Sequence, residues 1–229
     1  MKDVLKNHPF PIQIEGLPYI VAGLILLFSS ALIWRGMQLN TEGSPLPAAI
    51  ATVVFSLFTL FSIWFYRNPS REIPKDDLKA VLSPADGRVL KVEEIAGTRI
   101  GEAKAKKVSI FMSPMDVHVN RAPVTGKIET IQYNKGKFFK ADLDKASEEN
   151  EHNWVVMKTD AGVKVAFVQI AGFIARRIVC YVDSGQNLVR GERYGMIRFG
   201  SRMEIVVPAT AEVLVKPGEK TVAGMTKVA

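Results

Sequence analysis

Two long uncharged stretches dominate the first third of the chain. Residues 16–34 and 43–66 contain no Asp, Glu, Lys or Arg, and each approaches the roughly 20 apolar residues that a helix needs to cross a bilayer core. They predict a transmembrane helical hairpin within an anchor of residues 1–66. A single span plus an interfacial helix is the alternative, because Pro18 and the Ser29-Ser30 pair weaken the first stretch. A cleaved signal peptide fits less well, since no small-residue cleavage site follows the first stretch.

The pattern changes after Pro74 to short runs rich in Val and Ile, separated by Gly, Asp-Gly and Pro. This punctuation predicts a mainly β domain over residues 67–229. Candidate strands are residues 87–93, 107–112, 126–133, 154–158, 163–170, 177–182, 196–199 and 203–207. The turns at Asp86-Gly87 and Thr125-Gly126 resemble those of the barrel-sandwich domains that carry lipoyl and biotinyl groups. We therefore expect a barrel-sandwich-like fold behind the hairpin.

Residues 134–153 interrupt the strand pattern and predict a mobile loop. Phe138 and Phe139 lie there among three lysines, and an acidic stretch follows them. Aromatic rings flanked by lysines suit a bilayer surface, where the ammonium groups meet lipid headgroups. Packing of both rings beneath the loop, as a small apolar cluster, is the alternative.

The charge distribution bears on the location of the domain. The net charge is +7, and basic residues flank the apolar pair on both sides, whereas Arg35 is the one basic residue between the two stretches. The positive-inside rule then predicts that both ends lie in the cytoplasm, and anionic lipid would attract the basic domain. Nucleic acid is excluded as a partner because the basic excess is dispersed and no nucleic-acid-binding motif is present. Cys180 is the single cysteine, so no disulfide forms within the chain and a reduced compartment fits.

Three separated motifs carry the candidate chemistry: residues 83–89 (SPADGRV), residues 111–123 (FMSPMDVHVNRAP) and the pair Gly200-Ser201. In this order they resemble phosphatidylserine decarboxylase proenzymes of the short form, over about residues 65–208. The resemblance implies self-cleavage between Gly200 and Ser201, giving fragments 1–200 and 201–229 that remain together as a heterodimer. Ser201 would become a covalent pyruvoyl cofactor. That group would form a Schiff base with phosphatidylserine in the membrane and release CO2, leaving phosphatidylethanolamine.

The residues can be tested against this chemistry. Loss of a carboxylate from an α-amino acid needs an electron sink conjugated to the amine, which no ordinary side chain supplies. Ser201 also needs a base, and His118 is the candidate because imidazole titrates near neutrality. Asp86 matches the family's triad aspartate, which would orient and charge-stabilise a base. Structural readings stay open for all three: a plain Gly-Ser turn, a structural histidine and an Asp-Gly turn. Asp116 would share the strand face of His118 if the segment is extended.

One position departs from the longer form of the family. There a second histidine, three residues after the first, joins the self-cleavage triad, whereas this chain has Arg121. His118 matches the first histidine, which the family associates with decarboxylation. Two alternatives therefore stay open: His118 serves both steps, or self-cleavage proceeds without a histidine base. We predict that Arg121 contacts the substrate phosphate, with Phe138 and Phe139 as further substrate contacts. His152 is expected to be solvated, and the scattered histidines suggest no metal site.

Two other functions stay open. A membrane-tethered barrel-sandwich carrier or adaptor without catalysis would use Lys158, although no tight hairpin is centred on that residue. A pyruvoyl enzyme acting on a soluble amino acid is the second, and the apolar hairpin argues against it. The leading hypothesis places the enzyme in the cell membrane, with the catalytic domain on the cytoplasmic side. The sequence leaves a homo-oligomer open.

Overall fold

The chain divides into two compact units. The computed structural model describes residues 11–39, 43–143, 146–173, 177–198 and 200–229. One unit covers Pro9–Pro69, and Ser70–Ala229 lies in the other. The first is helical and the second is built on strands, so the predicted mainly β class behind an N-terminal apolar helix pair is confirmed.

The helical unit is a pair of apolar helices. A short 3-10 turn (Ile14–Gly16) leads into α1 (Leu17–Leu39), and α2 (Leu46–Phe65) follows. Both helices are long and apolar enough to cross a membrane. Small and hydroxyl residues lie where they meet: a Cβ on Gly23 would come 2.5 Å from Thr59 Oγ1, and Thr52 Oγ1 donates to Ser30 Oγ at 3.1 Å. Such residues let helices approach closely in a membrane, so Ser30 contributes to the helix contact.

The second unit consists mainly of antiparallel strands. In the described residues these are β1 (Gly87–Ala96), β2 (Lys104–Met112), β3 (Val119–Arg121), β4 (Gly126–Asn134), β5 (His152–Lys158), β6 (Lys164–Ala171), β7 (Ile178–Cys180), β8 (Asn187–Leu188), β9 (Arg193–Ile197), β10 (Ser201–Pro208) and β11 (Lys220–Thr221). A 3-10 turn (Thr98–Ile100) joins β1 to β2, and a short helix, α3 (Ala146–Glu149), precedes β5. Each of the eight predicted strands is present, with shifted ends. The sequence analysis missed β3, β8 and β11, which are too short to show a hydrophobic period.

Two sheets enclose the core. A curled eight-stranded sheet has the order β11-β1-β2-β10-β6-β5-β4-β8, and a three-stranded sheet has the order β3-β9-β7. The buried core draws side chains from both sheets, for example Phe167 of β6 and Tyr194 of β9, whose rings meet edge-on at 4.7 Å. Strand β10 is interior to the large sheet because it pairs with β2 on one side and with β6 on the other.

The described residues between β4 and β5 make specific hydrogen bonds and packing contacts, and the mobile loop stays a prediction. Asn150 is fully buried, and its amide donates to the carbonyl oxygens of Phe139 and Ala171 and accepts from the Phe139 N–H, each at 2.8 Å. Phe138 packs against the core, and the Lys137 ammonium lies 5.5 Å from the centroid of the half-buried Phe139 ring. Packing beneath the loop, rather than insertion into a bilayer, therefore describes Phe138.

Candidate active site

The three sequence motifs meet at one end of the large sheet. Ser201 begins β10, where it pairs with Met112 at the end of β2 and with Ala171 at the end of β6. Strand β1 begins at Gly87, directly after Asp86, and runs antiparallel to β2. We call this the site end of the sheet, the end at which β2 and β6 finish and β1 and β10 begin.

Ser201 is completely buried at the site end. Its hydroxyl donates to the Met112 sulfur at 3.4 Å, and a thioether is a weak acceptor. The preceding Gly200 has φ +60°, in the left-handed region that glycine enters without a Cβ penalty. The Gly200-Ser201 bond therefore joins a turn to a fully paired central strand.

A second glycine, Gly172, packs against the carbonyl group of Gly200. A Cβ on Gly172 would overlap the carbonyl oxygen of Gly200 and would lie 3.0 Å from its carbonyl carbon. Any side chain at position 172 would therefore displace the carbonyl that the predicted cleavage attacks. Sequence reasoning missed Gly172 because close approach between two separate loops leaves no local pattern.

His118 lies directly before β3 and is 1% exposed. Its Nδ1 is 2.9 Å from the carbonyl oxygen of Asp116. A carbonyl only accepts hydrogen bonds, so Nδ1 carries the proton in the neutral ring and Nε2 holds the basic lone pair. The His118 carbonyl accepts from the N–H of Ile197 at 3.4 Å, which sets the histidine beside the strand that leads to Ser201.

The segment before His118 differs from the extended strand that the sequence analysis assumed. The Asp116 N–H bonds to the Ser113 carbonyl at 3.0 Å, and the Ser113 N–H donates to the Asp116 carboxylate at 2.7 Å. Asp116 therefore closes a turn, and the prediction that it shares a strand face with His118 is wrong. Its carbonyl, rather than its carboxylate, fixes the histidine ring.

Asp86 has partners that sequence spacing could not identify. One carboxylate oxygen receives a hydrogen bond from Arg71 Nη2 at 2.7 Å, and the other receives one from the N–H of Ala223 at 2.8 Å. Burial raises the pKa of Asp86 despite the opposing effects of the Ala223 N–H and the Arg71 guanidinium. Asp86 is thus more than a turn residue, since it links the 83–89 motif to both Arg71 and the C-terminal segment.

Arg121 belongs to a cluster of charges around Asp86. Its guanidinium donates to the Gly191 carbonyl at 2.9 Å, and its strand position pairs directly with Arg193 of β9. Burial, together with repulsion from Arg193 and Arg71, lowers the pKa of Arg121 to about 10, although the attraction of Asp86 opposes this. At neutral pH Arg121 remains a cation and cannot replace the histidine base of the longer family form.

A buried polar network continues β10 beyond Ser201. Arg202 and Glu204 are each 2% exposed and form an ion pair at 2.8 Å. Arg202 also donates to the hydroxyl of Ser109 in β2 at 2.8 Å, and Glu204 accepts from the hydroxyl of Ser147 in α3 at 2.7 Å. Because removing one partner leaves a buried charge uncompensated, this network fixes the register of β10 against β2 and α3.

A second buried network lies behind Ser201, and sequence reasoning missed it. The Asn120 amide is 3.8 Å from the Met112 sulfur that also accepts from Ser201. Gln169 donates to the Asn120 carbonyl oxygen at 2.9 Å and accepts from Asn153 at 3.1 Å. Isolated polar residues within short strands gave no signal of this contact. The network ties β3 to β5 and β6 next to the sulfur that Ser201 contacts.

The two remaining candidate residues, His152 and Lys158, lie at opposite ends of β5. His152 is half-buried at the start of β5, with Nδ1 2.6 Å from the Asn150 carbonyl, so the expectation that it is solvated is only partly met. Lys158 is exposed at the last position of β5, at the opposite end of the sheet. Among the described residues no group of three or more His, Cys, Asp or Glu side chains is placed to hold a metal ion.

Comparison with known proteins identifies the family. The sequence model described as phosphatidylserine decarboxylase matches residues 58–229. A phosphatidylserine decarboxylase proenzyme of Pelobacter propionicus is 44% identical over 225 residues, covering 97% of both chains. The proenzyme of Geobacter metallireducens is 45% identical and covers 97% of both chains. That of Magnetococcus marinus is also 45% identical and covers 93% of this chain and 92% of the relative. The chain therefore belongs to the phosphatidylserine decarboxylase family.

Proposed function

We propose that this chain is a proenzyme that cleaves itself between Gly200 and Ser201, carries a pyruvoyl group formed from Ser201 and decarboxylates phosphatidylserine to phosphatidylethanolamine. The observation that carries the proposal is the environment of the Gly200-Ser201 bond, whose carbonyl lies against Gly172 while Ser201 is buried at the site end. Membership of the family supports both the reaction and the substrate class.

Self-cleavage requires the atoms of the Gly200-Ser201 pair and one water molecule. The Ser201 oxygen attacks the Gly200 carbonyl carbon, and the C–N bond breaks as the C–O bond forms, which leaves an ester and a free amine. Loss of the Ser201 α-proton then expels the Gly200 carboxylate. Water replaces the nitrogen, which leaves as ammonia, and a ketone remains at position 201. The absence of a side chain on Gly200 and Gly172 keeps the carbonyl accessible for the first step.

His118 is the proposed proton carrier for both stages. With Nδ1 held as a donor by the Asp116 carbonyl, Nε2 is the atom that accepts the Ser201 proton. Once protonated, the same atom can deliver a proton to the substrate α-carbon after CO2 leaves. Asp86 contributes negative charge and orientation at the site end, and Arg71 and Ala223 hold its carboxylate in place.

The surroundings of Ser201 suit a pyruvoyl group. When formed, that group supplies a carbonyl that binds the substrate amine and takes up the electrons released with CO2. Met112 and Ala171, the strand partners of Ser201, would hold it in the sheet. Complete burial of position 201 keeps bulk water away from the reacting carbon.

The two cleavage fragments are expected to remain one molecule. Strand β10 pairs along its length with β2 and β6, which both belong to fragment 1–200. Strand β11 adds a further pairing with β1. We propose that the heterodimer is held by these ladders and by the buried Arg202–Glu204 pair.

Substrate binding and location follow from charge. We propose that Arg121, supported by Arg71 and Arg193, attracts the headgroup phosphate, and that Phe139 offers an apolar contact while Phe138 holds the loop on the core.

The two apolar helices associate the chain with a membrane. The flanking basic residues support a cytoplasmic catalytic unit, which predicts a cytoplasmic signal from a reporter fused after Ala229.

Release of 14CO2 tests the proposal directly. Purified full-length protein in detergent micelles should release CO2 from carboxyl-labelled phosphatidylserine, and cyanoborohydride added with the substrate should inactivate it by reducing the bound amine adduct. Carboxyl-labelled free serine tests the alternative that the enzyme acts on a soluble amino acid. Faster release of CO2 from serine than from phosphatidylserine would show that the lipid is not the preferred substrate. A carrier or adaptor would release CO2 from neither compound.

A further inference from the structure

Three exposed apolar side chains surround the site end, and they come from three separate loops. Met115 and Phe173 are each 61% exposed, and Leu143 is 42% exposed. We call these three residues the rim. None of them belongs to the site described above.

Each rim residue is tied to the cleavage segment through its own backbone. Met115 lies in the turn that follows Met112, the strand partner of Ser201. Phe173 directly follows Gly172, against which the Gly200 carbonyl lies. The Leu143 carbonyl accepts from Arg202 Nη1 at 3.3 Å. The rim residues therefore lie next to residues that contact or follow the Gly200-Ser201 pair.

The charges next to the rim indicate what it contacts. Lys140 and Arg177 are exposed on the same loops, and the Arg198 N–H bonds to the Arg177 carbonyl at 3.3 Å. The described acids on these loops are Asp142, Glu148 and Glu149, which are exposed, Glu151, which is half-buried, and Asp116, whose carboxylate caps its own turn. Apolar side chains beside lysine and arginine match the layered structure of a phospholipid surface, with acyl chains beneath phosphates.

We propose that the rim inserts into the surface of a phospholipid bilayer and docks the site end on it, so that a lipid headgroup reaches position 201 without leaving the membrane. The inference rests on the proposed function for its substrate. It adds a contact between the catalytic unit and the bilayer that is separate from the helical anchor. Because the anchor already holds the chain on the membrane, the rim should affect access to the substrate rather than overall binding to vesicles.

Two substrates separate docking from catalysis. The full-length protein is reconstituted into phosphatidylcholine vesicles, and CO2 release is measured from long-chain phosphatidylserine in the bilayer and from dibutanoyl phosphatidylserine dissolved as a monomer. The triple variant Met115→Ser, Leu143→Ser, Phe173→Ser should lose about tenfold on the bilayer substrate, because each change removes an apolar group that the bilayer would bury, and keep its rate on the monomer. Val163→Ser is the matched control, since Val163 is 45% exposed in the turn at the opposite end of the sheet. An equal loss on both substrates, or no loss on either, overturns the proposal.

A spectroscopic measurement tests docking without activity. Cys180 is the only cysteine, so Cys180→Ser allows a spin label to be placed at Phe173→Cys or, as control, at Val163→Cys. In vesicles the label at 173 should be more accessible to oxygen than to a polar nickel chelate, and the label at 163 should show the reverse. Water-like accessibility at position 173 refutes docking even if the decarboxylase is active. A lipid-like label on a protein that releases no CO2 would support docking and refute the proposed function instead.

Discussion

The turn that leads into β6 at the far end of the large sheet differs from the segment that follows β6 at the site end in how closely it packs against other backbone. At the far end, β5 and β6 are joined by an exposed turn closed by the Thr159 N–H to Val163 carbonyl bond at 2.9 Å, and a Cβ on Gly162 would meet open space. At the site end, a Cβ on Gly172 would overlap the Gly200 carbonyl. Gly162 therefore serves backbone conformation in the far-end turn, whereas Gly172 serves close approach at the site end.

This difference indicates that the sheet alone does not define the site. Strand ladders bring Ser201 between Met112 and Ala171, but the reactive geometry comes from loops that bury polar groups against one another. Substitutions at the site end should therefore change chemistry, whereas matched substitutions at the far end should change little. The predictions below compare the two ends, beginning with the largest expected effect.

Ser201→Ala should abolish both cleavage and CO2 release, because the hydroxyl that attacks Gly200 and becomes the ketone is gone. Lys158→Ala at the far end should be indistinguishable from wild type. Gel mobility and CO2 release check both variants. Activity in Ser201→Ala contradicts the pyruvoyl proposal, and loss of function in Lys158→Ala would revive the carrier hypothesis.

His118→Ala should slow decarboxylation by about 100-fold to 10,000-fold, the usual contribution of a positioned acid or base. If Nε2 also takes the Ser201 proton, the variant should stay uncleaved, and Asp86→Ala should share part of this defect. Single-turnover CO2 release and the rate of fragment formation separate the two roles. Wild-type rates of both steps in His118→Ala would remove the histidine from the mechanism.

Gly172→Ala should slow self-cleavage by about 100-fold, since a displacement on the order of 1 Å at a reacting group can have that effect. Gly162→Ala is the control: its φ of +83° predicts strain on the order of 1 kcal/mol but normal cleavage. Melting temperature in detergent separates strain from chemistry. Equal cleavage rates in the two variants at equal stability would contradict the role assigned to close approach.

Asp86→Asn should show the smallest effect, a change in how stability depends on pH. Burial raises the pKa of Asp86 above its ordinary value of 3.8. The protonated carboxyl group is therefore favoured in the folded state, and its contribution to the free energy of unfolding is complete below pH 3.8 and is lost as pH rises through the folded-state pKa. The free energy of unfolding of the asparagine variant, relative to wild type, should therefore increase as pH rises through the folded-state pKa of Asp86. Melting temperatures against pH, in a Ser201→Ala background, test this. Asp160→Asn in the far-end turn is the control, because it shows how the loss of an unrelated carboxylate changes the melting temperature.

The sequence predicted the features that depend on local pattern. Uncharged stretches identified both helices and Val-rich runs identified eight of the strands. Three motifs pointed to Asp86, His118 and Ser201, whose roles in the reaction stay predictions. His118 and Asp86 were assigned roles through the family resemblance, and the structure adds the hydrogen bonds that fix each of them.

The features that the sequence did not predict depend on contacts between distant segments. Gly172 meets Gly200 only after β6 and β10 pair, and Ala223 meets Asp86 only after β11 pairs with β1. Asn150 joins Phe139 to Ala171 through hydrogen bonds, which no periodicity encodes. The turn at Asp116 was misjudged because alternation was assumed where a carboxylate closes the backbone.

Intact mass spectrometry of the purified wild-type protein tests the central claim most directly. We expect two species, fragment 1–200 and fragment 201–229, with the smaller one carrying a ketone in place of the serine amine and resisting Edman degradation. Ser201→Ala should give one species with the full-length mass. A fully active wild-type protein that remains a single uncleaved chain of 229 residues would contradict the account.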